Sequence, residues 1–290
     1  MQPLTVFLRV AMLALFVSAW CGVAACAGEK KQSRGETGAA ESRPPNPALE
    51  AAIKKLKMPG VAINLQERYV DIEGKICLDK GMLELVACTK GTKEHESIVA
   101  IEARPMHIHT ALLLVGANPG NPAMRKPLDE QKERWIDLPP SGDAVKILLV
   151  FPDKAGKLAE HPISEFITRP SAESGVPREA AADKEGDRKF PHTFLFAGSQ
   201  LVDDGPGPRK YLSDLSGNVI SIATFGDELL CLPGIHSDDN EALAWQVNAT
   251  GLPAVGSKVT LRLRQQLQPA SKAGKSGQLP SVSTPGKVHP

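Results

Sequence analysis

Net charge is almost absent from this chain: 34 Lys and Arg stand against 33 Asp and Glu. A neutral surface exerts no long-range pull on nucleic acid, so nucleic acid is excluded as a partner. Cysteine is scarce as well. Of five in all, Cys21 and Cys26 lie in the N-terminal apolar segment, leaving Cys77, Cys88 and Cys231. An odd number in an oxidising compartment leaves at least one thiol free or paired between chains. No Gly-x-Ser-x-Gly is present, which removes the strand–turn–helix elbow of hydrolases. Asp203-Asp204-Gly205 and Ser237-Asp238-Asp239-Asn240 are acidic but lack the ligand spacing of an EF-hand and read as turns. Aromatic residues make up only 4% of the chain.

What is present first is an address. Arg9 precedes an apolar run from Val10 to Ala25 that ends in small residues, and polar sequence follows, so residues 1–26 read as an export signal. Val23-Ala24-Ala25-Cys26 resembles the bacterial lipobox, which makes Cys26 the lipidation site and the membrane a partner through its lipid. Ala25-Cys26-Ala27 reads alternatively as an ordinary small-x-small cleavage site. The first reading gives a periplasmic or outer-membrane-facing lipoprotein, the second a soluble secreted protein. Loss of Arg9 leaves basic and acidic residues equal at 33.

Residues 27–57 read as a flexible tether, polar up to Pro44-Pro45, followed by a short helix capped by Asn46-Pro47 and closed at Pro59-Gly60. Residues 266–290 have a similarly polar composition and read as a disordered tail. Residues 58–265 between them are enough for one sizeable core.

The densest stretch is residues 91–124. Ile98, Val99 and Ile101 form a short apolar run that ends before Pro105, which suits a strand buried on both faces. Pro105 fits the first helical position, Ile108, Ala111, Leu112, Leu114 and Val115 follow at three- and four-residue spacing, and Gly116 with Asn118-Pro119-Gly120 supplies the stop. This predicts a three-turn helix covered on both faces, the buried centre of the domain.

Elsewhere the period is two. Val70, Ile72, Ile76 and Leu78 alternate with polar residues, as do Leu83, Leu85 and Ala87. A two-residue turn at Lys80-Gly81 would join them as a hairpin with Leu83 opposite Leu78 and Leu85 opposite Ile76. In that register Cys77 faces Glu84 and Cys88 faces Glu73, which argues against a hairpin disulfide. Further strands are expected at residues 134–138, 144–151, 193–201, 210–214, 219–225 and 258–263, with a mobile excursion over 170–189. The fold class is therefore α+β, mainly antiparallel β: one large β-rich domain with a buried central helix. Two echoes raise the idea of two pseudo-repeated halves. Pro140-Ser141-Gly142-Asp143 and the strand after it match Pro253 to Leu261, and Ala111 to Leu114 faintly matches Glu228 to Leu232.

Chemistry concentrates around His95, His107 and His109. As a metal site, these three histidines would be ligands, with Glu94 or Glu96 as ligand or base. As a ligand-binding segment, Glu94, His95, Glu96 and Ser97 would act together. Against both stands the plainer reading, in which His95 and Glu96 satisfy backbone groups at a strand entry and His107 lines a first helical turn. Residues two apart on a helix point about 200° apart, so His107 and His109 converge only if the helix starts after His109. Ser199 reads as a strand-end residue and Cys88 as a half-buried structural thiol, with Lys90 the one nearby feature that would activate it.

Lys93-Glu94-His95-Glu96-Ser97, Ala111-Leu112-Leu113-Leu114 with Gly116 and Pro119-Gly120, Pro140 with Gly142-Asp143, Phe196-Ala197-Gly198-Ser199, Asp214 with Gly217, and Pro253 with Gly256 together resemble the YdjY-type domain of exported bacterial proteins. The resemblance covers roughly residues 58–265. It implies location and domain limits rather than an activity. An iron–sulfur label sometimes attached to such domains finds no support, because a cluster needs four cysteine ligands at close spacing. No cofactor is predicted, with a divalent metal as the one alternative. Two function classes follow: a non-enzymatic envelope module that binds an envelope protein or polymer or has a structural role, and a metal protein or metal-dependent enzyme built on His95, Glu96, His107 and His109.

Overall fold

The computed structural model describes residues 51–53, 55–129, 131, 134–170, 189–203, 205–237 and 243–266. The export signal, Cys26, most of the tether, most of the excursion at 170–189 and the tail lie outside them. The strands are β1 (Val61–Asn64), β2 (Tyr69–Ile76), β3 (Leu85–Thr89), β4 (Ser97–Ile101), β5 (Met124–Pro127), β6 (Trp135–Leu138), β7 (Ala144–Pro152) and β8 (Leu158–Pro162). They continue as β9 (Ile167–Thr168), β10 (Phe194–Leu195), β11 (Leu201–Val202), β12 (Lys210–Tyr211), β13 (Asn218–Ser221), β14 (Leu230–Cys231), β15 (Gln246–Val247) and β16 (Lys258–Gln265). Helix α1 is Pro105–Leu114 and the one-turn α2 is Leu212–Ser216. Among the described residues no helix is long and apolar enough to cross a membrane.

Period-two alternation builds the wall. In β2, β7 and β16 the inward residues meet directly across the ladder: Ile72, Leu261 and Leu149 form one row and Val70, Leu263 and Ile147 the next. All six are essentially inaccessible to water, and each such burial contributes roughly 1.5–3 kcal/mol. The outward face carries charge. Arg262 forks both oxygens of Asp71 at 2.7 and 2.6 Å, reaches Glu160 and stacks 3.9 Å above the Tyr69 ring.

The sheet order is β2-β16-β7-β10-β14-β13-β3-β4, and a β4–β2 pairing closes it into a barrel-like ring. Most pairs are antiparallel; β3–β4 and β13–β14 are parallel. The fold is thus mainly antiparallel β with few helices, as the sequence predicts. Closure depends on Gly74, where an added Cβ would sit 2.6 Å from the Val99 side chain. Only a bare backbone there lets β4 approach β2.

The expected β2–β3 hairpin does not form, because β4 lies between the two strands. Leu83 donates its N–H to Trp245 and Met82 bridges Gln246, so the segment after Lys80-Gly81 pairs with distant chain instead. Alternation marks a strand but carries no information about its neighbour. The two strands of the first echo, β7 and β16, run side by side as antiparallel partners. In the second echo, Leu112 to Leu114 is helical whereas Leu230–Cys231 is strand, so that likeness does not extend to structure.

Helix α1 begins at Pro105 as predicted and ends where Gly116 turns left-handed at φ +94°. It packs on β1, β2 and α2, and Ile108, Ala111 and Leu112 are buried. Leu113 is 46% exposed, so the expectation of a helix covered on both faces is corrected: the outer side of α1 is open to water.

Candidate functional site

The predicted residues fall at the two ends of β4. At its entry, Glu94–Glu96 form one 3-10 turn, part of the short crossover that brings the chain back from β3 to a parallel neighbour. Glu94 accepts from the Gly91 N–H at 3.0 Å, and the buried Ser97 hydroxyl donates to the Lys93 carbonyl at 2.7 Å. Lys93 stands between Glu84 and Glu96, 3.4 Å from each, with its ammonium 3.7 Å from the centre of the Phe225 ring. Burial, with the Glu96 charge beside it, holds the Glu84 carboxyl above its ordinary range. The His95 side chain is 77% exposed and lies 3.6 Å from Glu96. Glu94, Glu96 and Ser97 therefore anchor the crossover, while His95 faces water.

His107 and His109 lie beyond the other end of β4, in the first turns of α1. A five-residue strand spans on the order of 16 Å, so the structure does not bring His95 together with either. Nor do His107 and His109 share partners. His107 Nδ1 is buried without a hydrogen bond, whereas His109 Nδ1 lies 3.1 Å from the Gly198 carbonyl and 2.9 Å from the Tyr211 hydroxyl. Among the described residues no three His, Cys, Asp or Glu side chains gather as a metal site.

What the structure does assemble is a joint between α1, α2 and the segment around Gly198. Asp214 caps α1 from outside it, accepting the Met106 N–H at 2.9 Å on one oxygen and Arg104 Nε at 3.0 Å on the other. Tyr211 donates to the Gly198 carbonyl at 2.8 Å, and burial pushes its phenol well above the usual tyrosine range. Burial also lowers the His109 pKa. Gly198 has φ +86°, and a Cβ there would meet Pro119 at 2.8 Å, so only glycine presents this carbonyl to both rings. Ser199 follows at φ +51°, its hydroxyl donating to the Asp227 carbonyl at 2.5 Å and accepting from the Ser213 N–H at 3.1 Å. It is a structural residue of the link between β10 and β11 rather than the strand-end residue its sequence context suggested.

A cleft of about 380 Å³ opens beside this joint, walled by Arg104, Met106, Arg209, Lys210, Tyr211 and Asp214. Its volume is in the range of small-ligand sites. Apart from Asp214 in the family motif, sequence reading singled out none of these, because Arg104 and Asp214 are 110 positions apart and nothing local marks their meeting.

The family model described as the YdjY domain matches residues 61–264 of the chain. No curated protein and no solved structure matches it.

Proposed function

The chain belongs to the YdjY domain family, and from that premise we propose that it is an exported, lipid-anchored envelope module that binds a ligand carrying an acidic group in the cleft beside Tyr211. One observation carries the ligand reading: among the described residues that line the cleft, Arg104 and Arg209 stand against one carboxylate, Asp214. That carboxylate already holds Arg104 and the Met106 N–H. Binding is favoured over catalysis because the titratable groups at the wall are engaged: Tyr211 is kept protonated by burial and fixed to Gly198, and Asp214 is fixed as the cap of α1. Anchoring rests on the apolar run ending at Val23-Ala24-Ala25-Cys26 and on the polar tether after it, which would let the domain stand off the membrane.

Titration of the full chain with small carboxylates and phosphates, followed by calorimetry, tests the cleft. Binding that weakens on Arg209→Gln supports it, and binding unchanged in that variant removes it. Mass spectrometry of the mature N-terminus tests the anchor; an unmodified chain beginning at Gly28 would end that reading.

A further inference from the structure

Two kinds of wall meet in the cleft beside Tyr211. One is cationic, from Arg104 just ahead of α1 and Arg209 just ahead of β12; the other is apolar, from Met106, Pro206, Pro208 and Leu215. Leu215 on α2 is 58% exposed, and Met106 on α1 is half-buried. A single wet leucine needs no explanation. Four apolar side chains lining one cleft beside two guanidinium groups match the make-up of small-molecule sites, where apolar walls hold the body of a ligand and a few polar groups fix its end.

The donors at the charged wall decide which acid fits. Arg104 spends Nε and Nη2 on a single oxygen of Asp214, and its outer Nη1 has no partner among the described residues. The first turn of α1 offers nothing to a phosphate, although a helix N-terminus is a natural seat for one. Pro105 lacks an N–H, that of Met106 goes to Asp214 at 2.9 Å, and those of His107 and Ile108 reach the Arg104 carbonyl at 2.9 and 3.3 Å. Tyr211 is committed to the Gly198 carbonyl. A phosphate dianion would find few donors for three terminal oxygens, and Asp214 would repel its second charge. A carboxylate carries one charge and two oxygens, one for each guanidinium.

Taking as given the reading of the cleft as an acidic-group site, on which this inference rests, we propose that its ligand is an aliphatic monocarboxylate, a short- to medium-chain acid. The carboxylate lies between Arg104 and Arg209, and the hydrocarbon tail lies on Met106, Leu215 and the two prolines. Each methylene fully covered by the apolar wall tightens binding about fourfold, so affinity rises with tail length until the cleft is filled.

The test is calorimetric titration of the full chain with butyrate, hexanoate, 1-hexanol and inorganic phosphate. Hexanoate should bind on the order of tenfold more tightly than butyrate, and more tightly than either 1-hexanol or phosphate. Leu215→Ser, at an exposed position outside the core, should bring the hexanoate-to-butyrate ratio down several-fold. A ratio near one in the wild type, or phosphate bound as well as hexanoate, overturns the aliphatic ligand; if Arg209→Gln still weakens every acid, the acidic-group reading stands without it. Hexanol bound as tightly as hexanoate, or a ratio unmoved by Leu215→Ser, overturns it as well. Acids that do not bind, or that bind Arg209→Gln as well as the wild type, remove both readings.

Discussion

Tyr211 donates its hydroxyl proton to the Gly198 carbonyl at 2.8 Å while its oxygen lies 2.9 Å from His109 Nδ1. His109 Nδ1 is also 3.1 Å from that carbonyl. A bare nitrogen lone pair there would face carbonyl lone pairs, so Nδ1 carries the proton and Nε2 is the free acceptor. Tyr211→Phe removes one donor and one acceptor from this triangle. It should cost about 0.5–1.5 kcal/mol in urea unfolding, and a larger pH dependence of stability should appear in the acidic limb as His109 loses its fixed partner.

The sign of the His109 effect follows from its burial, which lowers its folded pKa. Stability from the neutral ring is complete above the unfolded value of about 6.5 and declines as pH falls below it. His109→Gln should flatten stability over that range, which a pH series of thermal unfolding would show.

Glu228 has the opposite sign. It is fully buried, and that burial raises its pKa despite N–H groups of Phe225 and Asp227 at 3.3 and 2.9 Å. A raised carboxyl contributes stability that is complete below the unfolded value of about 4.3 and is lost as pH rises through the folded one. Glu228→Gln keeps the acceptor without the charge. The variant should therefore gain on the wild type as pH rises from acid to neutral, measured by urea midpoints; Glu84, raised in the same direction, stays in both proteins.

Asp214 serves as cap and counter-ion together. Asp214→Ala should cost about 0.5–2 kcal/mol, the range for losing a helix cap. Asp214→Asn retains an acceptor for the Met106 N–H and should cost less. Equal losses in the two variants would assign the effect to the Arg104 charge instead.

On α1, Leu112 is fully buried and Leu113 is 46% exposed. Leu112→Ala should destabilise by about 2–5 kcal/mol, whereas Leu113→Ala should stay within about 0.5 kcal/mol. The contrast is read from calorimetric midpoints of the two variants.

Much of the fold was legible because its signals are local. Alternation in Val70 to Ile76 marks β2, apolar runs between Pro/Gly turns mark the strands expected over 144–151 and 258–263, and Pro105 with Gly116 brackets α1, since each depends only on backbone geometry and near neighbours. The family motif also contained Gly198 and Asp214, without indicating what they do. The exposed side of α1 escaped sequence reading because four successive apolar residues, Leu112 to Val115, look buried until the packing around them is known.

Amino-acid order alone determined the strand-rich class, the start of α1 and the neutral surface, all properties of short segments or of composition. Only the tertiary structure decided that β4 separates β2 from β3, and that His109 answers to Tyr211 rather than to His95. The physical reason is that a strand's edge groups and a side chain's hydrogen bonds are satisfied by whatever the closed ring brings near. Ring closure is a property of the whole chain.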